Sequence, residues 1–278
     1  MDHATSRSPA KDDRSAWAEN GVEDLGGGLY RIPLPLPDDG LTAVNVYAIT
    51  GEQGVDLVDA GMALDQARER LAEALGQLGY GLPDIRNFFI THIHQDHYTL
   101  AVQLRGTLQG QIMLGEEERI NLTRIQEVAA GRREPGFIEM LPRLGAPELA
   151  GQIRSIMGPG LANPIPRLQW DDPDRWLADN TVIDLPSRSL RAIHTPGHTR
   201  GHVVFHDEAG GTLFAGDHVL PHITPSIGFQ PAITRQALTQ YLSSLRLMLT
   251  LSDARLLPAH GPGHRLHPHP GERAARAP

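Results

Sequence analysis

The chain has 278 residues, of which 40% are hydrophobic, and its formal net charge is −8. This length fits one large domain or two small ones, and the acidic balance argues against a protein whose main partner is a nucleic-acid backbone. The sequence contains no cysteine, which excludes disulfides, thiolate metal ligands and a cysteine nucleophile. Any metal must therefore bind to nitrogen and oxygen atoms.

The two ends of the chain differ in character from the middle. Residues 1–20 are polar and have no apolar core, so we expect a disordered tail that is not a secretory signal. Residues 266–278 are expected to be disordered as well, which leaves 21–265 as one domain. No run of about 18 apolar residues occurs, which predicts no membrane span and favours a cytoplasmic location.

The first half of the domain alternates strands with a helix. Apolar runs bounded by glycine or proline predict strands at "LTAVNVYAI" and "GVDLVDAG". A helix is predicted over roughly 62–79, where leucines recur at helical spacing. The next strand, "IRNFFI", leads directly into the polar stretch "THIHQDH". This order is typical of α/β proteins, whose sites lie at the ends of strands.

The middle of the chain changes character. A helix over about 99–110 and a short strand at "QIML" precede it. Residues 116–176 are predicted to form a mainly helical insertion, which ends in a loop with two tryptophans. The insertion either caps the site or mediates homodimerisation, and the sequence does not choose between these roles.

Strand character returns in the last third. Four short strands are predicted at "TVIDLP", "LRAIHT", "HVVFHD" and "GTLFAGD". The "EAGG" segment is predicted to form the hairpin turn between the last two. A helix follows, and its apolar face is predicted to carry Leu238, Leu242, Leu245 and Leu249. The segment "ARLLPAHGPG" is predicted to be a short strand that ends in a His-Gly turn.

The stretch "THIHQDH" is dense in metal-competent side chains. His92 and His94 are two residues apart, so in an extended segment both rings point to the same side and can face one metal. Asp96 and His97 follow where the chain turns toward a helix, and they can address a second position nearby. A nitrogen and oxygen donor set of this kind suits zinc, and also iron or manganese.

Three further segments have the same design, an apolar strand that ends in a metal-competent residue beside glycine. His198 lies in "HTPGHTRGH", Asp217 in "LFAGDHVL" and His260 in "LLPAHGPG". Such strand ends are what a site on one rim of a sheet sandwich requires.

With these segments in order, most of residues 29–263 resemble the metallo-β-lactamase superfamily. The family's motifs are found as "VDAG" with Asp59, "HIHQDH", "TPGHT", "GDH" and "PAHG". The resemblance implies an α/β fold, a four-layer αββα sandwich, here with a helical insertion.

The resemblance also implies a dinuclear centre. His92, His94 and His198 would bind the first metal, Asp96, His97 and His260 the second, and Asp217 would bridge both. Asp59 would orient ligands by hydrogen bonding. The implied cofactors are two divalent ions, zinc first, with iron or manganese as alternatives.

The chemistry expected of such a centre is hydrolysis. Two cations that share one water would lower its pKa toward neutrality and supply a hydroxide nucleophile. Asp96 and Asp217 would be the catalytic carboxylates, and Asp96 would handle a proton. The expected substrate is a small molecule with an ester-like bond: a lactone, thioester, β-lactam or phosphodiester.

Other polar residues near the motifs receive weaker predictions. Tyr98 could donate a hydrogen bond to a developing oxyanion, and His218 could lie near the substrate. For His194, His202, His206 and His222, structural or solvent-exposed roles are favoured.

Three other functions compete with this prediction. An iron persulfide dioxygenase would need one iron held by His92, His198 and Asp217, and it would leave the second donor set without a role. A nuclease is disfavoured by the acidic balance and the lack of a basic arm. A non-catalytic metal-binding protein would need a blocked pocket.

The sequence departs from the family in two places. Thr99 and Leu100 stand where many members have Gly-Gly. The chain also ends soon after His260, so a domain for glutathione thioesters is not expected.

Overall fold

The strands that lead to the metal-competent residues are buried on both faces. Every residue of the two strands Val203–Asp207 and Thr212–Gly216 is buried, as are the first seven residues of Ala43–Gly51. Strands that read as continuous apolar runs must be covered on both sides. Two sheets therefore stack face to face, with helices against their outer faces, which confirms the predicted four-layer α/β sandwich.

The computed structural model describes residues 16–19, 21–37, 40–107, 110–157, 168–228, 230–262 and 264–265. The strands are β1 Glu23–Gly26, β2 Leu29–Pro35, β3 Ala43–Gly51, β4 Gly54–Val58, β5 Ile85–Ile90, β6 Gln111–Gly115, β7 Arg175–Leu177, β8 Thr181–Asp184, β9 Ser189–His194, β10 Val203–Asp207, β11 Thr212–Gly216, β12 Arg255–Pro258 and β13 His264–Arg265. The α-helices are α1 Ala16–Glu19, α2 Asp65–Gln77, α3 Gln95–Leu104, α4 Arg119–Ala129, α5 Gly136–Met140, α6 Pro147–Met157 and α7 Ala237–Met248. Short 3₁₀ turns span Leu82–Asp84, Arg105–Thr107, Glu116–Glu118 and Leu141–Leu144.

The two sheets place several strand ends at one edge. The first sheet has the order β1 to β7, antiparallel from β1 to β4 and parallel from β4 to β7. The second has the order β13-β12-β11-β10-β9-β8, in which only β11 and β12 run parallel among the described strands. Because parallel neighbours end at the same edge, the loops after β4 and β5 lie together, and so do those after β11 and β12.

Three apolar clusters account for the layers. Between the sheets, Tyr47 and Phe89 of the first sheet pack against Phe214 and Phe205 of the second. A second cluster buries α2 and α3 against the outer face of the first sheet, and a third buries Met248 of α7 against the second.

Hydrogen bonds near the strand ends join β3 of the first sheet to β12 of the second. Asn45 Nδ2 and Tyr47 Oη both donate to the carbonyl of Pro258, at 3.0 and 2.7 Å. They join β3 to the strand that leads to His260, so the rim carrying that histidine is fixed to both sheets.

Most predicted elements are confirmed, with three corrections. The helix predicted over about 99–110 spans Gln95–Leu104 instead, so Asp96 and His97 lie in its first turn. Arg175 and Trp176, which the sequence predicts at the end of the loop of the helical insertion, instead belong to β7, which pairs with β6. The apolar face of α7 was predicted wrongly: Leu238, Leu242 and Leu249 are 60%, 42% and 70% exposed. The buried face instead carries Ala237, Tyr241, Ser244 and Met248, whose small members allow close packing.

The structure describes few residues of the two predicted tails. Residues 266–278 lie outside them, and of the first 20 only 16–19 are described, as the single turn α1. No helix in the described part of the chain has the length and apolar character needed to cross a membrane.

A buried histidine outside the ligand motifs makes stability depend on pH. His206 of β10 is 1% exposed, and neither ring nitrogen has a hydrogen-bond partner. Burial, and then the positive charge of Arg191, lower the pKa of His206 from its ordinary value of 6.5. Below about pH 6.5, His206 takes up a proton in the unfolded chain but not in the folded chain. The free energy of unfolding therefore decreases as the pH falls.

We expect His206→Leu to flatten this dependence. The melting temperature of the wild type should fall more steeply between about pH 7.5 and 5.5 than that of the variant, since leucine has no proton to bind. The measurement is a thermal melt at each pH for both proteins at matched metal content. Parallel curves would show that His206 is not protonated on unfolding in this range.

Candidate metal centre

The loops that carry the predicted ligands meet at one rim of the sandwich. Asp59 follows β4, the stretch 91–97 follows β5, and His198 lies in the turn between β9 and β10. Asp217 follows β11 and His260 follows β12. The backbone joins two of these loops directly, because Val203 N donates to the carbonyl of Thr91 at 2.8 Å.

The first of two donor groups contains three imidazoles and a carboxylate: His92, His94, His198 and Asp217. His198 Nε2 lies 3.2 Å from His92 Nε2 and 3.1 Å from His94 Nδ1. Asp217 Oδ2 is 3.4 Å from the same His198 nitrogen. All four donor atoms lie within 4.8 Å of one another, a spacing that one small cation can span.

The second group contains Asp96, His97 and His260. Asp96 Oδ2 lies 3.5 Å from His97 Nε2 and 3.4 Å from His260 Nε2. His97 is 0% exposed and His260 is 4% exposed. This group is therefore buried almost as deeply as the first.

Asp217 stands between the groups. Its Oδ2 faces the first group, whereas its Oδ1 lies 3.4 Å from His260 Nε2 and 3.7 Å from His97 Nε2. The two oxygens of one carboxylate thus point to two different donor sets. This is the geometry expected of a bridging ligand.

Outer hydrogen bonds fix which nitrogen each ring turns inward. His198 Nδ1 donates to the carbonyl of Ser226 and His260 Nδ1 to that of Ala43, both at 2.8 Å. A carbonyl can only accept, so both Nε2 atoms carry a lone pair toward the centre when the rings are neutral.

Asp59 acts on two rings in the same way. Its Oδ2 is 2.9 Å from His97 Nδ1, and its Oδ1 accepts from both N and Oγ1 of Thr91. Thr91 Oγ1 is in turn 3.1 Å from His92 Nδ1. Asp59 adopts a left-handed φ of 59°, a strained conformation that aspartate tolerates better than most residues and that is typical of functional sites.

Three of the donor atoms have no hydrogen-bond partner, as expected for atoms that bind a metal. His97 Nε2, His260 Nε2 and Asp217 Oδ1 are buried without any hydrogen bond. An unpaired buried polar atom costs about 1–3 kcal/mol, and here three of them converge on one space. A divalent cation would satisfy all three, so the residues fit metal ions.

The electrostatics of the two groups differ. Burial lowers the pKa of His92 well below its usual range, and burial together with His198 lowers the pKa of His94 to about 3. Burial alone would also lower the pKa of His97, but the carboxylates of Asp96, Asp59 and Asp217 raise it to about 10. The three imidazoles of the first group are therefore neutral, as imidazole ligands must be, while the carboxylates around the second group attract positive charge.

Two supporting residues lie directly behind Asp217. His202 Nε2 accepts the backbone N–H of Asp217 at 3.2 Å, and its Nδ1 is 2.8 Å from Thr195 Oγ1. Gly216 has φ of +51°, and a Cβ there would come within 2.7 Å of His202 Nε2 and Thr91 Oγ1. Glycine is required because the two ligand loops touch at this point. The sequence favoured a structural role for His202, and the structure places it as a support of the site.

Glu118 is a further supporting residue that sequence reasoning missed. It is 0% exposed, and its carboxylate accepts hydrogen bonds from the backbone of Ile93 and Gly201 and from the Thr199 hydroxyl. Asn121 Nδ2 donates to it at 2.6 Å. Glu118 thus ties the 91–97 loop to the His198 loop. In the sequence it is one of three consecutive glutamates, with no signal that sets it apart.

Two predicted substrate contacts are corrected. Tyr98 is 0% exposed, packs beside Trp170, and its hydroxyl donates to the carbonyl of Asp171 at 2.6 Å. His218 is 0% exposed, with its ring between those of His202 and Tyr241. Neither side chain presents surface to a substrate, because each is enclosed by the core behind the rim.

Comparisons with known proteins point to one family. The model of the metallo-beta-lactamase superfamily matches residues 39–260. The probable metallo-hydrolase YqjP of Bacillus subtilis (strain 168) is 24% identical over 235 residues, which are 83% of this chain and 70% of that protein. Acyl-coenzyme A thioesterase MBLAC2 of Gallus gallus is 28% identical over 246 residues, 86% of this chain and 78% of that protein.

A solved structure and several partial matches add to this. The metallo-beta-lactamase family protein TTHA1429 of Thermus thermophilus superimposes with a TM-score of 0.68 at 27% identity, over 87% of this chain and 76% of that one. Matches to several fungal relatives span 33% or less of the length of those proteins.

Proposed function

The chain belongs to the metallo-beta-lactamase superfamily, and from this premise we propose that it is a dinuclear metal-dependent hydrolase that cleaves an acyl thioester. The observation that carries the proposal is the pair of complete donor groups that share Asp217. The thioester is favoured among ester-like substrates because a relative matched over most of its length is named an acyl-coenzyme A thioesterase.

The assignment of residues follows the two donor groups. His92, His94 and His198 would hold one ion, Asp96, His97 and His260 the other, with Asp217 shared. Zinc is the first choice for such a nitrogen and oxygen set, with iron or manganese as alternatives. When bound, the ions would lower the pKa of a water molecule toward neutrality and polarise the carbonyl oxygen of the substrate.

The side chains would divide the remaining work. The Asp96 side chain is 14% exposed, against 9% for Asp217 and 3% for Asp59. Asp96 is therefore the carboxylate best placed to meet solvent and substrate, and we assign it to accept a proton from the attacking water and to pass that proton to the leaving sulfur, so that the products are a carboxylate and a thiol. Asp217 positions the two groups relative to each other, and Asp59 holds His97 in its inward orientation.

The iron dioxygenase is the less favoured candidate. A single iron on His92, His198 and Asp217 would leave Asp96, His97 and His260 gathered and buried for no purpose. Gathering buried polar groups without a partner is costly. The second donor group therefore supports hydrolysis.

The first test is metal content and turnover together. Purified protein should contain about two divalent ions per chain by elemental mass spectrometry and should hydrolyse an acyl-coenzyme A thioester. Removal of the metal with a chelator should abolish hydrolysis, and zinc should restore it. A lactone, a β-lactam and an aryl phosphodiester serve as comparison substrates. Hydrolysis that survives chelation, or one iron per chain with oxygen uptake, would overturn the proposal.

A further inference from the structure

A cavity lies beside α4, and none of the seven donor residues lines it. Its volume is about 510 Å³, within the range of roughly 300–1,000 Å³ that holds small-molecule ligands. We call it the arginine cavity, because its lining includes Arg119, Arg124, Arg133 and Arg143.

The arginine cavity has an excess of positive charge. Its four arginines are accompanied by two carboxylates, Glu127 and Glu139, which leaves a net charge of about +2 at neutral pH. Both glutamates are already used, because each pairs with both Arg124 and Arg133. Within the described residues, no carboxylate lies within ion-pairing distance of Arg119 or Arg143.

One arginine is built into the wall. The side chain of Arg124 is only 11% exposed, and its Nε is buried without a hydrogen-bond partner. Arg119 lies over the ring of Trp176, with its guanidinium carbon 4.3 Å from the ring centroid. Preorganised guanidinium groups with unused donors match the oxygens of a phosphate group.

A chain of hydrogen bonds links the lining of the arginine cavity to the loop that carries His198. Ala232 lines the cavity and donates its N–H to Asn121 Oδ1 at 3.0 Å. Asn121 also contacts Glu118, whose carboxylate binds the His198 loop. Gln230, two residues before Ala232, accepts the N–H of Arg200 at 2.7 Å. The cavity lining is therefore connected to the His198 loop of the first donor group through Asn121 and Glu118.

We infer that the arginine cavity binds a phosphate-ester group of the substrate, an inference that rests on the proposed thioesterase function. A phosphate monoester carries a charge of about −1.5 to −2 at pH 7, which matches the excess charge of the cavity. Ile120 and Ile233, 47% and 38% exposed, add apolar surface to the lining. That surface suits the organic part of a phosphorylated carrier such as coenzyme A.

The binding test uses adenosine 3′,5′-bisphosphate, the nucleotide part of coenzyme A, with the metal-loaded full chain in a calorimeter. It should bind the wild type, and Arg143→Glu should weaken binding about tenfold or more, as expected for loss of a charged hydrogen bond. Arg143 is exposed and makes no ion pair among the described residues, so this variant should fold. Arg246→Glu makes the same charge change on an exposed position of α7 outside the cavity and should bind normally.

Further probes identify the group that is recognised. Adenosine should not bind, and inorganic phosphate should compete with the bisphosphate. Equal affinity of wild type and Arg143→Glu for the bisphosphate, or no binding to the wild type, would overturn the inference. Equal affinity would place the phosphate elsewhere, for example at the metal centre.

Kinetic measurements test whether the arginine cavity affects substrate binding without affecting the chemical step. Arg143→Glu should raise KM for an acyl-coenzyme A while leaving kcat unchanged. The same acyl group on N-acetylcysteamine, which has no phosphate, should show no change in KM. If neither thioester is hydrolysed but the bisphosphate still distinguishes the two proteins, the phosphate site stands and the thioesterase proposal falls.

Discussion

Replacing Asp217 by alanine is expected to remove hydrolytic activity and to reduce the metal content. Its two oxygens face the two donor groups, at 3.4 Å from His198 Nε2 and 3.4 Å from His260 Nε2. Without this carboxylate, buried imidazoles from both groups would have to hold cations with less negative charge beside them. Loss of a residue that hydrogen-bonds a metal ligand lowers metal affinity or activity about 10–100-fold. Loss of a ligand shared by two metals should lower both by more.

The measurement combines elemental mass spectrometry with thioester turnover on the wild type and Asp217→Ala. Asp56→Ala is the matched control, because Asp56 is also a buried aspartate, 8% exposed, but it accepts a hydrogen bond from Asn87 within β4 and β5, before the strand ends that carry the donor residues. The control should keep its metal and its activity. If Asp217→Ala keeps full activity and unchanged metal content, Asp217 does not bridge the two groups.

Replacing Glu118 by alanine is expected to weaken both the fold and the metal site. The carboxylate accepts from the backbone of Ile93 and Gly201 and from the side chains of Thr199 and Asn121. Burial raises the pKa of Glu118, and these hydrogen bonds oppose that shift. Alanine would leave several buried donors unpaired, so we expect a loss of roughly 2–5 kcal/mol in the free energy of unfolding.

The zinc affinity of Glu118→Ala shows whether Glu118 positions the metal ligands or only stabilises the fold. Ile93 lies between His92 and His94, and Thr199 follows His198, so the first donor group should lose affinity more than the second. A zinc titration of metal-stripped protein should show one weakened site in the Glu118 variant. Glu118→Gln, which keeps the shape and one acceptor, should recover part of the affinity.

Glu117→Ala provides the control for Glu118. The Glu117 side chain is 48% exposed and reaches Arg200 only at 3.5 Å, and such surface pairs contribute about 0–1 kcal/mol. Its stability and zinc affinity should match those of the wild type. Two unchanged zinc affinities in Glu118→Ala, despite a lower melting temperature, would restrict Glu118 to a structural role.

The donor residues themselves could be predicted from the sequence. Histidine and aspartate are chemically distinct, and "HIHQDH" places four of them in six positions at the end of an apolar strand. The strands could also be predicted, because segments buried on both faces are mainly apolar, as in residues 203–205 of β10 and residues 213–215 of β11. The distribution of the seven donors into two groups followed from a family resemblance, and the structure brings together the same two groups.

Residues whose role depends on distant partners could not be predicted in this way. Glu116 and Glu117 are exposed while Glu118 is fully buried, although the three are identical in type. The leucines of α7 have the spacing of a buried face, yet the face that packs against the second sheet is turned from them by one residue, about 100° around the helix. Tyr98 directly follows a predicted ligand, yet its hydroxyl donates a hydrogen bond to the carbonyl of Asp171, 73 positions further along the chain.

The sequence by itself therefore determined the donor atoms, the apolar strands that carry them and the family, since these depend on residue type and spacing within short segments. Only the tertiary structure decided that Glu118 links two ligand loops, which oxygen of Asp217 faces which group, and that four arginines between 119 and 143 line one cavity. The physical reason is that burial and hydrogen-bond partners are set by the elements that pack around a residue, and those elements lie far away along the chain.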